Sequence, residues 1–277
     1  MPHLSDNIPL PDRAIITLCG PDRKKILQSL ITNDVKKIAK NLAIYAALLT
    51  PQGKYLHDFF ILEYEETLYL DCERARVSDL LRRLMMYKLR AAVDIVDCSD
   101  KYAVHATATL PPKEEIFTAD PRHPDMGYRM IRPTITTPDT SPNIEQYDHL
   151  RLMLGLPDGV RDFDVDKTLI LEGNMEELHG VDFDKGCYVG QEVTARMKYR
   201  ASLKKRLLPV MVDGNLPERG TEITDRTGKK VGDIRSGRGT RAIGYFRLAR
   251  ITFDTPYRCG NAYVTPIRPD WLKKDVS

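Results

Sequence analysis

Two hydrophobic rhythms alternate along the first half of the chain. Residues 13–20 form a short apolar run closed by glycine, and residues 42–49 are apolar almost throughout, so both read as strands, the second buried. Residues 55–64 and 67–71 read as two more strands, joined by Glu65-Glu66, with Thr50-Pro51-Gln52-Gly53 as the turn before them. Helical spacing appears after Pro21-Asp22, where Asp22 suits an N-cap and Ile26, Leu27, Leu30 and Ile31 share one face until Thr32-Asn33-Asp34 interrupts them. Residues 74–89 give the clearest helix. Val77, Leu80, Leu81, Leu84 and Met85 lie on one side, with Arg76, Asp79, Arg82 and Arg83 largely on the other. Residues 93–97 and 101–108 read as a strand pair. The expected class is α+β, with helices laid on a mostly antiparallel sheet.

The pattern then changes. Residues 111–142 carry Pro111, Pro112, Pro121, Pro124, Pro133, Pro138 and Pro142 and read as a long connection with one strand at 126–132. Residues 144–154 form a helix stopped by Gly155-Leu156-Pro157. Beyond residue 205, runs at 207–212, 222–224, 230–234, 242–251 and 262–267 are short strands divided by turns, which suggests a small antiparallel barrel or sandwich. The expected division is an N-terminal α+β subdomain (1–110), a second α+β subdomain (111–205) and a C-terminal β-barrel (206–277). There is no G-x-G-x-x-G after a strand and no G-x-x-x-x-G-K-[ST], so a nucleotide-binding fold is not expected.

Chemistry concentrates between Asp182 and Arg206. Lys185-Gly186-Cys187-Tyr188 packs a cation, a permissive backbone position, a thiol and an aromatic into adjacent positions, and Gly190-Gln191-Glu192 leads into a helix. Gly186 and Gly190 suit tight bends or close backbone approach. A thiol just ahead of a helix N-terminus, beside Lys185, has its thiolate form favoured. Cys187 is then a buried structural thiol, a reactive thiol, or a transient soft ligand during iron–sulfur assembly.

At 277 residues, 42% hydrophobic and 29% charged, the composition is that of a soluble globular protein. No apolar run approaches bilayer-spanning length, so no membrane partner is expected. Met1 to Asn7 shows no basic segment leading into an apolar stretch, so no secretion signal is expected. The five cysteines (19, 72, 98, 187, 259) are scattered and never C-x-x-C, and the six histidines lack ligand spacing. Those features argue against a disulfide framework or a resident metal, and for a reducing, cytoplasmic setting. The net charge of +3 is modest, but Arg196, Lys198, Arg200, Lys204, Lys205 and Arg206 cluster, followed by Lys229, Lys230, Arg235, Arg238 and Arg241. This is a solvated surface or an anion site. RNA is the weaker alternative, since no RNA-binding signature accompanies the charge.

The octapeptide Lys185-Gly186-Cys187-Tyr188-Val189-Gly190-Gln191-Glu192 resembles the signature of the YgfZ branch of the glycine-cleavage T-protein-like, folate-binding family. Asn174-Met175-Glu176-Glu177-Leu178-His179-Gly180 before it and Ala195-Arg196-Met197-Lys198 after it agree in order and spacing. The resemblance implies a bipartite α+β folate-binding body and a small C-terminal β-barrel, arranged in a ring. It also implies tetrahydrofolate or a reduced folate derivative as cofactor, and work in iron–sulfur protein assembly or maintenance, including tRNA-modifying enzymes. Partners would be folate and iron–sulfur assembly proteins or client enzymes. In T-proteins an aspartate acts on the folate nitrogen; set against that pattern, its place falls on His57, with Asp58 next and facing the other way. His57 is then either catalytic or a strand residue satisfied by a neighbour. Its presence weighs against a tetrahydrofolate-dependent aminomethyltransferase, which stays an alternative beside an RNA or protein binding module. The resemblance gives Cys187, Lys185 and His57 as catalytic positions and Glu172, Tyr188, Gln191, Glu192 and Arg196 as folate contacts, with Tyr188 alternatively anchoring its loop.

Overall fold

The computed structural model describes residue 4 and residues 7–134, 144–200 and 203–272. Pro138 and Pro142, and most of the Met1 to Asn7 segment, lie outside the described residues. The elements run β1 (Ile8–Pro9), β2 (Arg13–Cys19), α1 (Arg23–Gln28), β3 (Ile44–Leu49), β4 (Tyr55–Tyr64), β5 (Thr67–Glu73), α2 (Val77–Lys88), β6 (Asp94–Asp97), β7 (Tyr102–Thr107), β8 (Ile116–Ala119) and β9 (Tyr128–Pro133). There follow α3 (Ile144–Leu154), α4 (Gly159–Asp162) and α5 (Gln191–Arg200), then β10 (Lys205–Asp213), β11 (Glu222–Thr224), β12 (Lys230–Arg238), β13 (Arg241–Arg247), β14 (Tyr257–Cys259) and β15 (Ala262–Pro266).

These strands form a five-stranded sheet ordered β3-β4-β5-β2-β6, a four-stranded sheet ordered β1-β7-β9-β8, and a closed barrel ordered β10-β13-β12-β11-β14-β15. Every pairing between these strands is antiparallel. The α+β class and the C-terminal barrel are as expected from the sequence. Two local readings are not. β6 and β7 do not pair with each other: β6 joins β2, while β7 joins β1 and β9 in the second sheet. The proline-rich stretch also holds a second strand, β8, paired with β9, so the four-stranded sheet draws on both sides of residue 110.

β3 is buried along its whole length because both faces of its sheet are covered. Ile44, Ala46 and Leu48, with Phe59 and Ile61 of β4, pack against Leu27 and Leu30 at the end of α1 and Leu80 and Leu84 of α2. The opposite face carries Tyr45, Ala47, Leu49, Tyr55 and Phe60. It packs against Leu152 of α3, Tyr188 of the signature, and Leu207 and Ile243 of the barrel. That second face points to the centre of the molecule.

The barrel is locked on by buried polar contacts. Arg151, fully buried in α3, donates to Asp148, Asp162 and Ser236, and Asp162 accepts from the Ser236 amide at 2.9 Å. Asn174 donates to the Leu207 carbonyl at 2.8 Å and accepts from Arg206. A charge buried this deeply persists only when such partners surround it.

Candidate functional site

The signature loop is stitched to the turn that follows α1. The Asp182 amide donates to the Thr32 carbonyl, and the Val189 amide to that of Ser29. Between them, Lys185 turns inward and is only 6% exposed. Its ammonium donates to the carbonyls of Gln28 (2.8 Å), Ile31 (2.6 Å) and Asn33 (2.8 Å) and stands 5.0 Å from the centre of the Tyr188 ring. Three acceptors match the three hydrogens of an ammonium, although burial pulls the group down to about 8. Lys185 is therefore an anchor. It does not stand free beside the thiol, because those three carbonyls claim all its hydrogens.

Cys187, two residues on, is exposed. α5 starts just beyond it, so the thiol sits ahead of that helix as the sequence implies. The hinge at Gly190 is imposed by packing. Its φ is +84°, and a methyl group there would lie 2.6 Å from the Thr50 carbonyl and 3.1 Å from the Gly53 Cα. The two glycines bring the signature against the turn after β3. Gly186 has no such constraint: a side chain there would meet nothing within 4 Å.

His57 and Asp58 face opposite sides of β4, but the sides are the reverse of those the family pattern implies. His57 is paired with Leu48 on the helix-covered face, 4% exposed, its Nε2 2.9 Å from Asp79 of α2. Burial, then the nearby Arg76, holds it down at about 4, so it is neutral at pH 7. Asp58 is paired with Ala47 on the central face and accepts from the hydroxyls of Tyr45 (2.9 Å) and Tyr55 (2.6 Å). The pairing passes from Leu48–His57 to Leu49–Tyr55, an irregularity at Leu56 that breaks simple alternation. His57 is thus a strand residue satisfied by a neighbour, and the inward carboxylate is Asp58.

The side chains read as folate contacts do not converge. Glu172 accepts from the Tyr245 hydroxyl at 2.6 Å and ties the body to the barrel. Tyr188 is buried in the central core, where burial pushes its hydroxyl up to about 12. The Gln191 side chain accepts from the Tyr188 amide at 3.3 Å, closing its own loop. Gln191, Glu192 and Arg196 do share a shallow groove along α5, where Glu192 and Arg196 pair at 3.4 Å. As a pterin pocket these five do not fit, since their walls face the barrel, the core and the solvent in turn.

Sequence reasoning missed a buried charge network on the central side. Asp71 accepts from Arg13 at 2.6 Å and Arg129 at 2.5 Å, while Asp120 accepts from Arg122 at 2.8 Å. All three guanidinium groups lie within 5.5 Å of the Phe60 ring centre. A faint signal was present, since Asp71 directly follows the apolar run Leu68-Tyr69-Leu70. The basic runs are heavily paired as well. Arg206 meets Glu177, Lys230 meets Glu222, Arg235 meets Asp164 and Asp233, and Arg238 meets Glu145 and Asp148. Each of those cations is already paired within the chain, Arg206 and Arg235 in buried positions, which weighs against an RNA site.

Comparison with known proteins agrees with this architecture. Residues 14–108 match the GCVT N-terminal domain, and residues 204–274 match the C-terminal beta-barrel domain of CAF17. The chain is similar to the mouse iron-sulfur cluster assembly factor IBA57, mitochondrial (Mus musculus), at 29% identity over 95% of this chain and 84% of that one. The human protein of that name gives the same three figures. The homolog from Mycosarcoma maydis is 33% identical over 73% of this chain, but the match spans only 56% of that longer protein. Among solved structures, the crystal structure of glycine cleavage system aminomethyltransferase T from Bartonella henselae superposes with a TM-score of 0.73. It covers 97% of this chain and 87% of its own, at 15% identity, which is a likeness of fold. The three IBA57 relatives are named as mitochondrial, which overturns the expectation of a cytoplasmic protein.

Proposed function

We propose that this chain is a mitochondrial accessory factor for iron–sulfur protein assembly, in which the Cys187 thiol meets the cluster or the protein that carries it. The carrying observation is the exposure of that thiol on a loop pinned by the buried Lys185. A thiolate is the soft ligand that iron–sulfur clusters take. One cysteine supplies only one of the usual four ligands, so the cluster is cargo and an assembly protein or client enzyme provides the rest. The names of the relatives support this reading. The YgfZ-type interpretation of residues 185–192, and effects on tRNA-modifying iron–sulfur enzymes, belong to the same proposal. The test is Cys187→Ala in cells lacking the chain, with several iron–sulfur enzymes assayed. Activities that stay low support the proposal, and full restoration returns the thiol to a structural role.

A second reading, tetrahydrofolate or a reduced folate derivative bound on the central face, rests on Asp58 held between the Tyr45 and Tyr55 hydroxyls. It keeps one-carbon transfer as the alternative activity. Calorimetric titration of the purified chain with tetrahydrofolate decides it: saturable heat lost in Asp58→Asn supports the reading, and no heat ends it.

A further inference from the structure

The C-terminal end of α2 combines exposed apolar side chains with a strained cap. Met85, Met86 and Tyr87 are all exposed, Met86 at 64%, and Leu89 beyond them is 87% exposed. Leu89 caps the helix at φ +44°, ψ −114°, and the chain doubles back through the Ala91 amide, which donates to the Lys88 carbonyl at 2.8 Å. Glycine is the usual residue at a helix end with positive φ. A leucine there is strained and also holds apolar surface in water, two unfavourable features at one position. From Arg82 to Arg90 the chain carries Arg82, Arg83, Lys88 and Arg90 and no carboxylate. The acids beside it are Asp79, which pairs with Arg82, Arg83 and Arg76, Asp94, 3.8 Å from Lys88, and Asp22, which accepts from the Ala92 amide at 2.8 Å. The rim is left net positive.

We infer that the α2 tip docks this protein on the surface of an anionic phospholipid bilayer, with Met86 and Leu89 entering the interface and Arg82, Lys88 and Arg90 meeting headgroups. Charge complementarity selects an anionic surface. The exposed apolar residues Met86 and Leu89 stand among Arg82, Lys88 and Arg90, an apolar tip with a basic rim that suits a headgroup boundary. Methionine and leucine tips with basic rims bind at the headgroup boundary without crossing it. No helix among the described residues is long and apolar enough to cross a membrane, and surface docking needs none. The absence of a membrane partner, expected from sequence, rested on that spanning criterion alone. The inference is independent of Cys187 and of any cluster chemistry.

The test is co-sedimentation of the full chain with vesicles of phosphatidylcholine alone or mixed with phosphatidylglycerol. Binding is expected only to the mixed vesicles, and about 1 M salt should release it as the screening length falls to about 3 Å. Leu89→Gly should weaken binding about tenfold or more, while melting at or above the parent temperature because glycine suits the positive φ. Arg90→Glu should weaken binding to mixed vesicles with the fold intact. No binding to mixed vesicles at low salt overturns the inference, as does a Leu89→Gly chain that binds like the parent. Self-association of the parent, abolished by Leu89→Gly in the absence of vesicle binding, would overturn it in favour of a second copy as the occupant.

Discussion

Lys185 and Cys187, two residues apart, are turned to opposite environments: the ammonium is held by three buried carbonyls, and the thiol stands in solvent. The first fixes the loop and the second is what the loop displays. Replacing Lys185 by Met removes the donor from three carbonyls at once. Each buried acceptor left unpaired costs about 1–3 kcal/mol, less what entering water recovers, so a loss of about 3 kcal/mol is expected in urea unfolding. A loss below about 1 kcal/mol would mean the contacts do not anchor the loop.

The two signature glycines should behave differently although both precede chemically interesting neighbours. Gly190→Ala forces a side chain onto the Thr50 carbonyl at positive φ and should destabilise by about 2 kcal/mol or more. Gly186→Ala, with open space around it, should stay within about 0.5 kcal/mol in the same measurement. Equal effects would contradict the packing of the loop against the turn.

His57 makes stability depend on pH in a defined window. Its folded value of about 4 lies below the 6.5 of an unfolded histidine. The unfolded chain therefore takes up a proton first as pH falls. Stability is fully present above about 6.5 and is lost progressively toward pH 4, by about 3 kcal/mol from this group. His57→Gln keeps a donor toward Asp79 without titrating, so its unfolding free energy should fall correspondingly less between pH 7 and pH 4.5.

Thiol accessibility separates the cysteines into two groups. Cys19 and Cys187 are exposed, whereas Cys72, Cys98 and Cys259 are buried, and burial pushes Cys72 up to about 12 and Cys259 up to about 11. Iodoacetamide at neutral pH should label Cys187 and Cys19 well ahead of the other three, as read by peptide mass spectrometry. Labelling of Cys187 at the pace of Cys72 would mean that the loop shields its thiol.

The elements that sequence reading found share one property: their signal is local. β3 is a continuous apolar run, α2 a one-sided stripe, and the approach to α5 a close mixture of cation, glycine, thiol and aromatic. The misreadings share the opposite property. The partners of Lys185 lie more than 150 residues away in the chain, at Gln28, Ile31 and Asn33, so nothing near Lys185 announces its burial. Alternation placed His57 and Asp58 on opposite faces, yet which face looks inward depends on packing and on the irregularity at Leu56. β8 and β14 are too short to stand out before their partners are known. The Arg13–Asp71–Arg129 network joins β2, β5 and β9, and only the assembled sheets bring it together.

The most direct measurement compares Cys187→Ala with Cys19→Ala, the other exposed cysteine, in cells lacking the parent chain, at matched protein levels and with melting temperatures checked. The account predicts that Cys19→Ala restores the activities of iron–sulfur enzymes and Cys187→Ala does not, although both proteins remain folded. Equal restoration by the two variants would contradict it.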